Sequence, residues 1–302
     1  MSHARMQEIV NHALSRGFTG LGTVSFLLGE ELKLLIHAGT IREILLKNNR
    51  QKRHLPGEKY QDAAFFEASR MGYLRLQKVP GRFLLCERAC FDTKEQETRK
   101  GLKNLDLEAI FLELAKRESA TILALRWQEA EAYVLVSGSN IPLRRAVFVN
   151  GSQVEIDDSA LSMIASWKEA HCNLTTYQGA LETDSWIALH LNVLFEYFCA
   201  NMLSQYGYLT GKVMVNSMVR SMTYTAPQYQ CDLAAASAQV QDQTVFYSIH
   251  ETIRAYKSLL DFLEAQVESV AGSNFIKLVK KQSLDSLNPF YTNLARYYGF
   301  SF

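Results

Sequence analysis

A repeat with an offset of about one hundred residues is the feature that most constrains how this chain folds. Residues 9–81 and 110–179 each begin with a segment whose apolar side chains recur at helical spacing. Alternating, β-branched segments broken by turns follow in both. Within them, Leu34-Leu35-Ile36 has its counterpart in Val134-Leu135-Val136. The constant offset and the shared order of elements predict a tandem duplication.

Each copy closes with a helix-forming segment and a further strand, in residues 62–81 and 158–179. The predicted fold class is therefore α+β: two tandem small α/β-sandwich units, each in the order helix, antiparallel strands, helix, strand. The first unit is predicted to cover residues 1–91 and the second residues 105–180. Residues 92–104 are charged and almost without aliphatic side chains, so they are predicted to be the linker between the copies.

Residues 181–302 show helical periodicity and are predicted to form an all-α helical-bundle domain. Long helices are expected over residues 190–211 and 250–272, each followed by a second helix up to Pro227 or Pro289. Proline cannot continue a helix, so both second helices are expected to end at the same relative position. Two repeated hairpins of this kind can close into a bundle. The alternative is that two amphipathic helix pairs look alike without duplication.

The balance of charge argues against nucleic acid and anionic lipid as partners. The chain has 32 Lys and Arg residues against 31 Asp and Glu residues, a net charge of +1. We therefore predict neither nucleic-acid binding nor membrane association. Residues 187–203 are strongly apolar, but His190, Asn192, Glu196 and Asn201 interrupt them. A membrane span needs about 20 nearly uncharged residues, so a buried helix is predicted here.

No sequence motif for catalysis, cofactor binding or metal binding is found. The chain has no P-loop, no GxSxG nucleophile elbow, no HExxH and no EF-hand loop. We therefore predict no catalytic, cofactor-binding or metal-binding residues. The five cysteines without a CxxC pair, and the lack of an apolar leader, predict reduced thiols and a cytoplasmic location.

Two sets of residues are candidates for binding. A ligand pocket between the two helical hairpins would be lined by His190, Asn216, Tyr229 and His250. The alternative is that both histidines are structural residues near helix starts. Two basic groups form a candidate interaction surface, although such runs are often solvated. They are Arg50, Lys52 and Arg53 in the first copy, and Lys277, Lys280 and Lys281 on one predicted helix.

The first copy resembles the PATAN-type domain, the N-terminal module of certain bacterial response regulators. The resemblance rests on Phe18-Thr19-Gly20 at the end of the first helix and on His37-Ala38-Gly39-Thr40-Ile41 in a strand-turn-strand. It continues in Gly72-Tyr73-Leu74-Arg75-Leu76, which has the G-x-L-x-L strand pattern. The resemblance implies an interaction module in bacterial signalling or motility, with no catalytic residues to carry over.

The resulting hypothesis is a non-enzymatic regulatory or adaptor protein that mediates protein–protein interactions in bacterial signalling or motility. Its partner would be a signalling or motility protein, and the helical domain would form a homodimer. The alternative is a ligand-binding or catalytic helical domain whose pocket lies between its two hairpins. Metal analysis and absorbance of the purified protein would separate the two hypotheses.

Overall fold

The chain is mixed α+β, with antiparallel sheets and a helical C-terminal region. The computed structural model of the chain describes residues 3–26, 29–48, 51–61, 72–103, 105–114, 116, 120–136, 144–167, 171–179, 183–236, 239–246 and 248–300. Contacts divide the chain into two units. Unit 1 comprises Met1–Ile110, Thr121–Leu135 and Arg144–Gln178. Unit 2 comprises Phe111–Ala120, Val136–Leu143 and Gly179–Phe302.

The first sheet of unit 1, sheet 1, has the strand order β4-β3-β2-β1-β5 and is antiparallel throughout. Its elements, with the helix that precedes them, are α1 (His3–Ser15), β1 (Gly20–Phe26), β2 (Glu31–His37), β3 (Thr40–Lys47), β4 (Lys52–Pro56) and β5 (Gly72–Gln77). Alternate side chains on its strands, such as Val24 and Leu34, form a buried core with Met6 and Val10 of α1. The helix predicted at the start of residues 62–81 lies outside the described residues.

The second sheet, sheet 2, has the strand order β10-β9-β8-β7-β11-β6. The first five strands, β10-β9-β8-β7-β11, have the same relative chain order as the strands β4-β3-β2-β1-β5 of sheet 1. The elements are α2 (Gly81–Asp92), β6 (Glu95–Leu102), α3 (Leu107–Leu114), β7 (Thr121–Arg126), β8 (Ala130–Val136), β9 (Arg144–Asn150), β10 (Gln153–Ile156), α4 (Asp158–Ser166) and β11 (Cys172–Gln178).

The linker predicted at residues 92–104 is wrong, because this segment contains strand β6. Its residues pair antiparallel with β11, for example Thr98 with Thr175. The strand lies at the edge of sheet 2, so one of its sides has no strand neighbour in the described sheet. An edge strand tolerates charged side chains because much of its surface faces water. The composition of this strand, EQETRKGL, therefore resembles that of a linker.

Helix α2 is the central element of unit 1. Residues 81–90 are all buried, although they include Arg82, Glu87 and Arg88. Each of these charges has an opposite charge nearby: Arg82 Nη1 lies 2.8 Å from Asp157 Oδ1, and Arg88 Nε lies 2.9 Å from Glu43 Oε2. Buried charges require such partners. The partner of Glu87 is Lys33, whose Nζ lies 2.6 Å from Glu87 Oε2.

Unit 2 is built on a long helix, Asp184–Thr210, of which 17 of the 27 residues are buried. Its elements are α5 (Asp184–Thr210), α6 (Lys212–Thr225), β12 (Leu233–Ala236), β13 (Gln239–Asp242), α7 (Ile249–Ala271), α8 (Ser273–Asp285) and α9 (Pro289–Tyr297). The rings of Phe195 on α5 and Tyr256 on α7 stack with centroids 4.4 Å apart. Gly211 and Gly272, with φ of 85° and 82°, separate α5 from α6 and α7 from α8. Glycine is favoured there because a side chain opposes positive φ.

Unit 2 is not the all-α domain that the sequence predicts, because β12 and β13 form an antiparallel hairpin between α6 and α7. The two second helices also end differently. Pro227 lies in a 3₁₀ turn after α6, whereas Pro289 is the first residue of α9, where its missing N–H costs nothing.

Among the described residues, one helix, Asp184–Thr210, is long and apolar enough to cross a membrane. The buried share of its most apolar window is 78%. The prediction of a buried helix at residues 187–203 is confirmed. The polar side chains that interrupt it, His190, Asn192, Glu196 and Asn201, form hydrogen bonds inside unit 2, and Asn201 Nδ2 donates to the Ser283 hydroxyl at 3.2 Å.

Candidate functional site

A polar groove of about 590 Å³ in unit 1 is the candidate site. One wall is the face of sheet 1 that points away from α1. Neighbouring strands place Arg75, Thr23 and Lys33 in one row across β5, β1 and β2. The next row contains Tyr73 and Ser25. Because the central strand carries short side chains between longer ones, a trough runs along β1.

The far side of the groove comes from α2 and sheet 2, and Glu87 is the centre of its charge network. Lys33 Nζ donates to Glu87 Oε2 at 2.6 Å. The other oxygen of Glu87 accepts a hydrogen bond from the Tyr133 hydroxyl. Arg126 Nη2 lies 3.7 Å from that oxygen and 3.4 Å from the Tyr133 hydroxyl oxygen. Both oxygens of a buried carboxylate are thus satisfied.

The network fixes the charge states of its members. Burial opposes the ionisation of Glu87, but the positive charges of Lys33 and Arg126 hold its pKa below the ordinary value. Burial likewise disfavours the charged form of Lys33, yet Glu87 outweighs it and raises the pKa of that ammonium. Burial raises the pKa of the Tyr133 hydroxyl, so it stays a neutral hydrogen-bond donor. The floor of the groove is therefore a fixed salt bridge.

Two other charged side chains of the groove differ from Lys33, Glu87 and Arg126 in having no direct ion pair. Glu131 on β8 and Arg75 on β5 both line it, and neither has an ion-pair partner within 4 Å among the described residues. Burial and the neighbouring charge of Glu87 raise the pKa of Glu131. Arg75 is exposed on an edge strand. Glu131 and Arg75 are thus charges of opposite sign that line one groove without a direct ion pair, and the exposed Lys47 and Glu95 line it as well.

The arrangement is suited to binding rather than to covalent chemistry. Cys90 lines the groove, but burial raises the pKa of its thiol, so the nucleophilic thiolate is disfavoured. Within the described ranges, no group of three or more His, Cys, Asp or Glu side chains is placed to hold a metal ion. What the groove offers a ligand is fixed charges and hydroxyls.

A second buried polar network lies in unit 2, around Asp242 on β13. One of its carboxylate oxygens accepts hydrogen bonds from Asn192 Nδ2 at 2.9 Å and from the Tyr256 hydroxyl. The other accepts from the backbone N–H of Thr244 at 2.9 Å and from its hydroxyl. The backbone N–H of Asp242 donates to Glu196 Oε1 at 2.9 Å. These bonds hold the β12–β13 hairpin against α5 and α7.

His190, predicted to line a ligand pocket, is instead packed among aromatic side chains. Its Nδ1 lies 3.0 Å from the Tyr291 hydroxyl oxygen, and the Trp186 and Phe290 rings are 5.8 and 5.0 Å from its own, centroid to centroid. Burial lowers the pKa of His190 to about 3, so the imidazole is neutral at physiological pH. The structural alternative for this histidine fits these contacts.

Acidification is expected to destabilise unit 2 through His190. The unfolded histidine takes up a proton below pH 6.5 but the folded one does not, so stability present above pH 6.5 is lost as the pH falls toward 3. This contribution amounts to about 2 kcal/mol at pH 5. Urea unfolding of the wild type and of His190→Gln, at pH 7.5 and pH 5, measures it. The stability difference between the two proteins should shrink at pH 5; an unchanged difference would contradict the assignment.

The other three predicted pocket residues do not join His190 around a described cavity. His250 is exposed in the first turn of α7, and Asn216 and Tyr229 are half-buried. Two cavities in the described part of unit 2, one between α5 and α6 and one between α5, α7 and α8, are lined by other residues. The two histidines are not equivalent either, since α5 begins six residues before His190 whereas α7 begins one residue before His250.

The predicted basic surface in the first copy is only partly available. Arg50 lies outside the described residues, and Arg53 is exposed on β4. Lys52 donates from Nζ to the carbonyl oxygens of Phe91 and Thr93, at 3.0 and 3.3 Å. It therefore binds the C-terminal end of α2, where a cation is favoured.

The three lysines of α8 do not form one free face. Lys277 and Lys281 are exposed, but Lys280 Nζ lies 2.6 Å from Glu264 Oε2 on α7. The i, i+3, i+4 spacing places the three on neighbouring positions, and the packing of α8 against α7 then turns Lys280 toward a carboxylate. The prediction of a shared basic surface is wrong for Lys280.

The sequence analysis missed Lys33, Glu87, Arg126 and Glu131. A signal for three of them exists: each is a charged residue inside an otherwise apolar run, as in ELKLLIH, RFLLCERACF and AEAYVLV. A charge in a buried element requires a partner or a function. In comparisons with protein-family models, with curated proteins and with solved structures, the chain matched none of them.

Proposed function

We propose that the protein is a non-enzymatic adaptor that associates through a surface on unit 2, with a second copy of the chain and with a signalling or motility protein of a bacterial cytoplasm. The observation that carries this proposal is a cluster of exposed apolar side chains at the junction of α5 and α6. Tyr208 and Val213 are 82% and 80% exposed, and Leu209 and Met214 accompany them. We call these four residues the α5–α6 corner.

Exposed apolar side chains grouped in this way are unfavourable in water. A partner that covers them removes their contact with water, so such groups mark interaction sites. The corner is formed by two helices that are joined by a single residue. The N–H of Gly211 donates to the carbonyl oxygen of Gly207 at 2.9 Å, and α6 begins at the next residue. A surface whose backbone is already helical has less conformational entropy to lose on association, which favours binding.

We further propose that unit 1 consists of two tandem α+β copies. The common order of five strands in its two sheets supports this duplication. The nearly equal φ angles of Gly211 and Gly272 support a second duplication in unit 2. A PATAN-type identity of the first copy would agree with an interaction role. The cytoplasmic location is supported by five buried cysteines without a disulfide.

The test is the oligomeric state of a matched pair of variants. We expect the wild type to sediment as a dimer at micromolar concentration and Tyr208→Asp to dissociate by at least about tenfold, since a buried charge without a partner costs more than 1.4 kcal/mol. Tyr297→Asp is the control, because Tyr297 is also 82% exposed but lies on α9. It should stay dimeric.

Two results would refute the proposal. A wild type that is monomeric at about 100 µM, well above the micromolar concentration at which the dimer is expected, refutes association with a second copy of the chain. Affinity purification from bacterial lysate then tests the remaining part. A signalling or motility protein bound by Tyr297→Asp but lost in Tyr208→Asp supports the adaptor, and equal recovery by both variants overturns it.

A further inference from the structure

We propose that the groove of unit 1 binds a small zwitterion of the amino-acid class, with the ligand's cationic group at Glu131 and its carboxylate at Arg75. This site is independent of the α5–α6 corner and goes beyond the proposed adaptor function. It rests on the position of these two side chains in one groove and on the fixed network beneath them.

Glu131 and Arg75 lack direct ion pairs, unlike the charges at the floor of the groove. Lys33 and Arg126 lie within 4 Å of Glu87, and Lys33 Nζ lies 3.6 Å from Glu31 Oε1. Glu131 and Arg75 make no ion pair within 4 Å in the described ranges, although the more distant Lys33, Arg126 and Arg75 act on Glu131. The exposed Lys47 and Glu95 add one further charge of each sign to the groove. A ligand with a single charge can pair directly with only one of Glu131 and Arg75, whereas a zwitterion can pair with both.

Glu131 offers the site for the cationic group of the ligand. It is half-buried on β8 beside Glu87, a second carboxylate whose own oxygens are already occupied. Burial and the charge of Glu87 raise the pKa of Glu131 more than the positive charges of Lys33, Arg126 and Arg75 lower it. A ligand ammonium or guanidinium placed there supplies a cation in direct contact.

Arg75 offers the site for the carboxylate of the ligand. Arg75 is exposed on β5, and its neighbour on the next strand is Thr23, a short side chain. Lys33 follows across β2 in the same row, two strands away, which is about 10 Å at the usual strand spacing. The space above Thr23 therefore admits a ligand, and a guanidinium binds a carboxylate through two parallel hydrogen bonds.

The size and polarity of the groove limit the ligand. Its volume of about 590 Å³ is in the range of small-molecule sites. Ser25 and Thr23 provide hydroxyls on the trough, and Tyr73, which is 73% exposed, provides an aromatic ring at its side. These walls favour a polar ligand with a modest side chain over a lipid or another wholly apolar molecule.

The experiment is a thermal-shift screen of the full chain against the twenty proteinogenic L-amino acids, followed by calorimetric titration of those that stabilise it. For each such amino acid, the N-acetyl form and the methyl ester are titrated as well, since one lacks the cation and the other the carboxylate. We expect saturable binding of at least one amino acid and a loss of at least about tenfold in affinity for both derivatives.

Two variants locate the site, Glu131→Gln and Arg75→Gln. Each should weaken binding at least about tenfold. Glu131→Gln removes a carboxylate whose ionisation is disfavoured, so its melting temperature should equal or exceed that of the wild type. Loss of binding in a variant of undiminished stability cannot be attributed to unfolding. Glu268→Gln and Arg254→Gln, which replace exposed residues of α7, are the controls and should bind as the wild type does.

Three outcomes would overturn the proposal. The first is that no amino acid binds saturably. The second is that the methyl ester or the N-acetyl form binds as well as its parent, which would assign the groove to a simple cation or a simple anion. The third is that binding survives in both groove variants, which would place it elsewhere on the protein.

Discussion

Replacing Lys33 by methionine is expected to lower the free energy of unfolding of unit 1 by about 3 kcal/mol. The substitution removes the ammonium that lies 2.6 Å from Glu87 Oε2. The side chain of Glu87 is only 4% exposed, so water cannot replace the lost partner. Arg126, at 3.7 Å from the other oxygen, compensates only in part. Urea unfolding at pH 7.5, with hydrogen exchange of α2 as the local readout, measures the effect.

Two further variants separate the loss of the ion pair from the loss of a lysine. Lys47→Met removes an exposed lysine that also lines the groove, and it should change stability by less than about 0.5 kcal/mol. The double variant Lys33→Met with Glu87→Met should recover most of the stability, because two apolar side chains can replace a buried ion pair. A single variant as stable as the wild type would show that Glu87 does not depend on Lys33.

The local elements of this fold could be predicted from the sequence, because they depend on neighbouring residues. Strands β1 to β3 follow from alternating β-branched segments and from the turn at Gly39. Helix α5 follows from a long apolar run, and its interior polar residues indicated burial rather than a membrane. Such signals are periodic and therefore survive without knowledge of the tertiary structure.

The candidate site could not be predicted, because its residues meet only after the chain has folded. Lys33 and Glu87 are separated by 54 residues, and Tyr133 and Glu87 by 46. Each charge was visible as an exception in an apolar run, but which charges pair depends on how α2 packs in unit 1. Strand β6 was missed for a related reason: its charged residues fit a strand only where the edge of a sheet is available.

The substitution Asp242→Ala is expected to lower the free energy of unfolding of unit 2 by about 4 kcal/mol at pH 7.5. It leaves Asn192 Nδ2, the Tyr256 hydroxyl and the Thr244 N–H without the acceptor that they share. Each buried donor left unsatisfied costs about 1–3 kcal/mol. Asp261→Ala, on the exposed side of α7, is the control and should have little effect. Hydrogen exchange of β12, β13 and the start of α7 should locate the loss.

The pH dependence of the same pair of proteins tests the network more sharply. Burial raises the pKa of Asp242 from 3.8 to about 6, against the opposing effect of its hydrogen bonds. The stability that this shift contributes is present in full below pH 3.8 and is lost as the pH rises through 6. The difference between wild type and Asp242→Ala should therefore grow by about 1 kcal/mol between pH 7.5 and pH 5. The contribution of His190 is common to both proteins and cancels in this difference. A difference that shrinks on acidification would mean that the four hydrogen bonds dominate over burial and that Asp242 is charged throughout this range.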